Sequence, residues 1–206
     1  MIEFNNMLSG PAIKYAFPTP IYTCTLNNYA MVKVQEELGK IYNDLISKDK
    51  FKHNAKSSSH MVSDIAFKDN LLDDYNAVHF KDELKIHINH YMSLIERKID
   101  TEYTISSSWM ALNQKSSYAV VHSHGDSDLS GVYYFKTNTN DGNLFFETPN
   151  KMNKANYCFR HYATNLDITP QVGNIILFPG WLEHGVGTNH TDNDRVSLSF
   201  NINFKR

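Results

Sequence analysis

The sequence predicts a mainly β chain, a double-sheet barrel of jelly-roll type preceded by two helices that pack on one of its sheets. Three observations carry this. Beyond Asp100-Thr101 the apolar spacing changes from helical to alternating and stays alternating to the end. Phe and Tyr are abundant, twelve of each, and both favour pleated sheet. Roughly eight candidate strands crowd the last hundred residues, a density that suits two facing sheets.

Each element has its own signal. The prolines in Phe17-Pro18-Thr19-Pro20 restrict the backbone before them and open a short extended piece that runs to Cys24. Val34, Leu38, Ile41, Tyr42 and Leu45 recur at helical spacing and predict a first helix over 29–46. The polar stretch 47–71, broken by Met61-Val62, reads as a long loop, a candidate lid. Leu84, Ile88, Tyr91, Leu94, Ile95 and Ile99 outline a second helix over 78–99. Strands are expected at 103–112, 118–122, 131–137, 143–147, 158–163, 174–178, 184–188 and 195–204, joined by connections rich in Gly, Asn and Asp. In the last strand Val196, Leu198, Phe200, Ile202 and Phe204 form one face; Arg195, Ser197, Ser199, Asn201 and Asn203 form the other.

Length and composition narrow the function. A chain of 206 residues, 41% hydrophobic, suits one compact core, so a single domain over 1–206 is expected, with a helical part at 1–101 and a barrel at 102–206. A formal charge of -2 and a pI near 6.5 give no long-range attraction for nucleic acid or an anionic membrane. The amino terminus lacks the basic start and apolar run of a signal peptide, and no apolar stretch is long enough to span a bilayer. Cys24 and Cys158 lie far apart, in keeping with a reducing, cytoplasmic setting.

The chemistry gathers in the second half. In His122-Ser123-His124 two imidazoles at i and i+2 on an extended strand share a face, so they can share one metal ion. His184, about sixty residues on, can supply a third ligand from a distant strand. A lone histidine, in a chain holding ten, is ordinarily a surface or hydrogen-bonded residue. His124-Gly125-Asp126 also offers a carboxylate, which leaves the third ligand open between His124 and Asp126. Arg195 follows His184 by a turn and a return strand, and its planar fork can grip a carboxylate through two parallel bonds. Ser197 faces the same way and can donate another. Trp109, Tyr133, Phe178 and Trp181 are expected to pack the barrel.

Five ordered blocks carry a family resemblance: Ser108-Trp109-Met110-Ala111-Leu112-Asn113, His122-Ser123-His124, Leu129-Ser130-Gly131-Val132-Tyr133-Tyr134, Leu177-Phe178-Pro179-Gly180-Trp181-Leu182-Glu183-His184, and Arg195-Val196-Ser197-Leu198-Ser199-Phe200-Asn201. In this order they resemble the 2-oxoglutarate- and iron(II)-dependent oxygenases related to prolyl 4-hydroxylase, and Phe17-Pro18-Thr19-Pro20 fits that group's first strand. The resemblance implies a double-stranded β-helix (cupin-like jelly roll). It puts His122 and His184 at the first and last ligand positions and His124 where the wider superfamily has Asp, with Asp126 as the rival. It also implies that Arg195 and Ser197 anchor the distal carboxylate of 2-oxoglutarate, that Tyr134 assists them, and that Asn113 contacts the cosubstrate's metal-side end. The expected activity is a dioxygenase that couples oxidative decarboxylation of 2-oxoglutarate to hydroxylation, with Fe(II) and oxygen.

No residue specifies the primary substrate, which is a small molecule or a protein side chain, and a homodimer is compatible with the sequence. Two other functions fit the same fold. One is a three-histidine cupin-type metalloenzyme that works without 2-oxoglutarate. The other is a non-catalytic jelly roll that binds a metabolite or sugar.

Overall fold

The computed structural model describes residues 18–53, 61–63, 70–96, 102–158, 160–163 and 165–205. Two antiparallel sheets face one another. The larger has seven strands: β1 (Tyr22–Thr25), β9 (Asn174–Pro179), β6 (Leu129–Lys136), β11 (Arg195–Phe204), β4 (Tyr103–Asn113), β3 (Met61–Ser63) and β2 (Phe51–His53), in that spatial order. The smaller runs β5 (Ala119–His122), β10 (His184–Val186), β7 (Leu144–Phe146), β8 (Leu166–Ile168). Helices α1 (Asn28–Ser47), α2 (Leu71–Asp74) and α3 (Val78–Leu94) complete the framework.

The alternation in β11 divides the molecule. Val196, Leu198, Phe200 and Ile202 enter a core shared with Val34, Leu38, Ile41 and Leu45 of α1 and Phe80, Leu84, Ile88 and Tyr91 of α3. Each full aliphatic side chain so removed from water contributes roughly 1.5–3 kcal/mol. The other face of the large sheet meets the small one through a second cluster, Val132, Tyr134, Leu144, Phe146, Ile176, Phe178 and Leu182. That inter-sheet space contains the candidate site.

Local chemistry fixes the helices. Asn27 caps α1, its side-chain oxygen accepting from the Ala30 amide at 3.0 Å. Helix α3 has no such cap of its own, and the Glu37 carboxylate of α1 accepts from the His79 and Phe80 amides instead. One acidic side chain thus satisfies orphan donors and complements the positive end of the neighbouring helix. Below them the Tyr22 hydroxyl meets His87 Nδ1 at 2.7 Å, tying β1 to α3.

The structure corrects three sequence expectations. The stretch 47–71 is not one long loop, because β2 and β3 pair with each other and β3 extends the large sheet beside β4; residues 54–60 and 64–69 of the supposed lid lie outside the described residues. Among the described residues of 158–163 there is no strand. Lys151–Ala155 and Arg160–Ala163 are 3₁₀ turns, and the strand comes later, at Leu166–Ile168. The second helix ends at Leu94, and 97–99 lie outside the described residues.

Gly131 shows how tightly β6 meets the helix-side core. A Cβ there would fall inside contact distance of the Phe200 ring and 2.8 Å from Leu177 Cδ2. Gly131→Ala is therefore expected to destabilise the fold by about 1–3 kcal/mol through overpacking, read as a lower urea midpoint at unchanged slope. A wild-type midpoint would show that the core yields there at no cost.

Candidate metal centre and anion seat

The two strands that carry the outer histidines are neighbours. His184 lies directly opposite His122 in the β10–β5 ladder. His124 sits beyond the end of β5, where its amide donates to the Gly180 carbonyl at 2.8 Å and its own carbonyl accepts from Ser127 at 2.8 Å. Gly180 permits this approach, since a Cβ would press on the Ser127 carbonyl and come within 2.8 Å of the His124 oxygen. Ring centroids are 4.4 Å apart for His122 and His184, 5.1 Å for His122 and His124, and 5.2 Å for His124 and His184. One ligand atom from each ring lies within 4.8 Å of the others, and among the described residues this is the one such group able to hold a metal.

Two rings have their tautomer fixed by backbone. His122 Nδ1 lies 2.8 Å from the Val120 carbonyl and His184 Nδ1 lies 2.8 Å from the Leu182 carbonyl. A carbonyl only accepts, so each Nδ1 carries the proton and each Nε2 keeps its lone pair for a cation. This outer hydrogen bond orients the ring and raises its basicity as a ligand. His184 is further held by the Phe178 and Phe146 rings at 4.7 and 6.0 Å, and His124 lies against Trp109 at 5.7 Å.

Burial, with His122 adding to it in both cases and His124 also for His184, pushes the His184 imidazole down to about 3 and the His124 imidazole down to about 4. Both are neutral at physiological pH, the form that ligates. Each folded value lies below the ordinary 6.5, so each contribution is complete above pH 6.5 and is lost as pH falls toward the folded value. The metal-free protein should lose up to roughly 1.4 kcal/mol per pH unit for each of these histidines below 6.5. Urea midpoints measured from pH 7 to pH 4.5 check this, and a flat profile would mean that the rings protonate freely in the fold.

Asp126 is exposed and stands outside the histidine group. Asp128 is engaged elsewhere, its carboxylate accepting from the Phe204 amide at 2.8 Å.

Arg195 occupies the far end of the inter-sheet space. Phe146 pairs with His184 on β7, and the Arg195 contact falls four residues back along the same chain, at Gly142. Arg195 is 2% exposed. Its Nη1 donates to the Gly142 carbonyl at 2.6 Å and reaches the Asp141 carbonyl at 3.5 Å. Its Nε has no partner, nor has Nδ2 of Asn113. These two residues lie directly opposite each other on β11 and β4. Ser197 and Tyr134 form the adjacent pair between β11 and β6, both buried. Burial pushes the Tyr134 phenol up to about 12 and lowers the Arg195 value, an effect that Tyr134 and Asp141 oppose.

The structure thus brings His122, His124 and His184 together at one end and Arg195, Ser197, Tyr134 and Asn113 at the other. Asn113, for which the resemblance implies contact with the cosubstrate's metal-side end, is the register partner of Arg195 on β4. Sequence reasoning did not single out Asp141, which is fully buried beside the arginine. A fully buried Asp in a turn is legible in sequence only as a turn former.

Comparison with known proteins agrees with this architecture. Residues 107–201 match the family model described as "Putative 2OG-Fe(II) oxygenase". A Pseudomonas putida prolyl-4-hydroxylase superposes with a TM-score of 0.59 at 15% identity, covering 91% of this chain and 93% of its own. A Burkholderia pseudomallei oxidoreductase of the 2OG-Fe(II) oxygenase family gives 0.57 at 18% identity, with 88% and 85% covered. HygX from Streptomyces hygroscopicus, solved with nickel, 2-oxoglutarate and hygromycin B bound, gives 0.55 at 11% identity, with 90% and 83% covered. At these identities the structures share the fold. No curated protein matches the sequence. The segment that matches the 2OG-Fe(II) oxygenase model, 107–201, holds all three clustered histidines and the buried arginine.

Proposed function

We propose that this chain is a metal-dependent oxidoreductase that holds one first-row transition metal through His122, His124 and His184. The observation that carries the reading is the convergence of three ring nitrogens, two of them with the tautomer fixed by a backbone carbonyl. That donor set supports a three-histidine metalloenzyme directly. It supports one working without 2-oxoglutarate at least as well as one working with it, because no carboxylate joins the cluster among the described residues.

A separate observation favours the cosubstrate. Arg195 Nε and Asn113 Nδ2 are buried donors without partners, and an unmet buried donor costs roughly 1–3 kcal/mol. A carboxylate between them would satisfy both and meet a positive charge. HygX, with nickel and 2-oxoglutarate in the same fold, is a precedent for such a pairing. The residues therefore fit both Fe(II), which accepts imidazole nitrogen, and a dicarboxylate anchored at its far end.

In this mechanism, iron with 2-oxoglutarate and oxygen supplies the oxidising power for hydroxylation of a substrate. The chain does the rest. His122, His124 and His184 would hold the metal, with the Nε2 lone pairs of His122 and His184 kept ready by the Val120 and Leu182 carbonyls. Arg195, with Asn113, would fix the distal carboxylate, and Ser197 and Tyr134, the next register pair, would border it. The apolar cluster of Val132, Phe146, Ile176 and Phe178 excludes water between the sheets.

Anaerobic titration of the protein with Fe(II), then with 2-oxoglutarate, tests the proposal, followed by succinate release in air. One bound metal with metal-dependent 2-oxoglutarate binding is expected. One metal without 2-oxoglutarate binding would leave the three-histidine enzyme that works without it. Absence of tight metal binding would remove both and leave a metabolite-binding jelly roll.

A further inference from the structure

We infer that Asp141, together with Thr137 and Asn189, positions the Arg195 seat by folding the turns that clamp it. The inference rests on the reading of that seat as a carboxylate anchor.

Asp141 has no exposed surface and both of its carboxylate oxygens are used. Oδ1 accepts from the Thr137 hydroxyl at 2.7 Å, and Oδ2 accepts from the Asn138 amide at 2.9 Å. Those bonds close the turn between β6 and β7. In the same turn Gly142 adopts φ +97°, and a Cβ there would press on the Gly187 carbonyl. The turn so constrained presents the Gly142 and Asp141 carbonyls to one edge of the guanidinium. The Nε edge is left without a partner. Among the described residues no carboxylate pairs directly with Arg195, yet the Asp141 charge reaches it. A buried cation is thereby offset without its carboxylate-gripping edge being occupied.

A second turn interlocks with the first. Asn189 is fully buried, and its Nδ2 donates to the Asn113 carbonyl at 2.9 Å and the Asn193 carbonyl at 2.8 Å. Its Oδ1 accepts from the Thr191 amide and hydroxyl. Asn138 Nδ2 then donates to the Thr191 hydroxyl at 3.0 Å, which joins the Asp141 turn to the Asn189 turn. Arg195 and Asn113, the two residues with unmet donors, are each held by one of these turns.

The test uses Ni(II)-loaded full-length protein with 2-oxoglutarate as the probe. Thr137→Val deletes one hydroxyl and keeps every charge. It should raise the 2-oxoglutarate Kd about three- to tenfold, the effect of losing the hydroxyl's bond to Asp141 and the one it accepts from the Thr139 amide, while the metal Kd stays within about twofold. Thr137→Ser, which keeps the hydroxyl, should restore the wild-type Kd, and Asp141→Asn should weaken binding further. The Arg195 Nε–H resonance, assigned by its loss in Arg195→Lys, should shift on 2-oxoglutarate addition in wild type and broaden in Thr137→Val. An unchanged or tighter 2-oxoglutarate Kd in Thr137→Val overturns the inference, as does an equal loss of metal and 2-oxoglutarate affinity. Should Asp141→Asn fail to fold, Thr137→Val and its serine control decide the matter. Failure of wild-type protein to bind 2-oxoglutarate would instead remove the seat itself, and with it this inference.

Discussion

His184→Ala is expected to weaken metal binding at least about 100-fold, more than the 10–100-fold usual for outer-shell partners. His184 is the most buried of the three clustered histidines, and Phe178, Phe146 and the Leu182 carbonyl hold it in place. Its loss removes a ligand for which the described residues provide no substitute nearby. His124→Ala should behave in the same way. Asp126→Ala should leave affinity unchanged, since Asp126 is exposed and outside the cluster. Equilibrium dialysis against Co(II), with its visible absorption as a report of coordination, measures all three. If Asp126→Ala released the metal while His124→Ala retained it, the ligand set would become two histidines and a carboxylate.

Much of this architecture was legible because it obeys simple periods. The strict alternation in 195–204 marks out the apolar face that meets the helices, and β11 spans those residues. The histidine pair and a distant third were likewise readable as a group, but β5 ends at His122, and His124 is placed by its backbone bonds to Gly180 and Ser127 rather than by strand alternation. Other features had no such signal. A strand is expected over 158–163, but Asn156 accepts from the Cys158 amide through its side chain and turns the backbone there. The β2–β3 pair was hidden because Lys, Ser and Asn dominate the surrounding stretch and each strand has only three residues. Asp141 and Asn189 read as ordinary turn residues, and their burial comes from turns distant in sequence that meet at one end of the barrel. The carbonyls that set the His122 and His184 tautomers are equally silent in sequence, because every residue has one.

Arg195→Ala is expected to separate the two ends of the site. The guanidinium contacts the carbonyls of Gly142 and Asp141, well away from the ladder position where His184 faces His122, so the variant should keep wild-type metal affinity. For 2-oxoglutarate the loss should be large. Truncating one partner of a buried, hydrogen-bonded charge pair costs roughly 2–5 kcal/mol, equivalent to a rise in Kd of about 30-fold or more. Arg195→Lys should recover little, because an ammonium cannot present the paired Nε and Nη edge that matches a carboxylate. Anaerobic 2-oxoglutarate binding and aerobic succinate release, measured at saturating Fe(II), report the two effects separately. The burial of Arg195 makes the experiment decisive. A cation 2% exposed with its Nε unmet is costly to maintain, and an anionic ligand at that edge is the simplest function that would offset the cost. Unchanged 2-oxoglutarate turnover in Arg195→Ala would sink the anchor. Wild-type protein that binds metal and catalyses oxidation with no response to 2-oxoglutarate would assign the arginine to holding the 137–142 turn and the chemistry to three histidines alone.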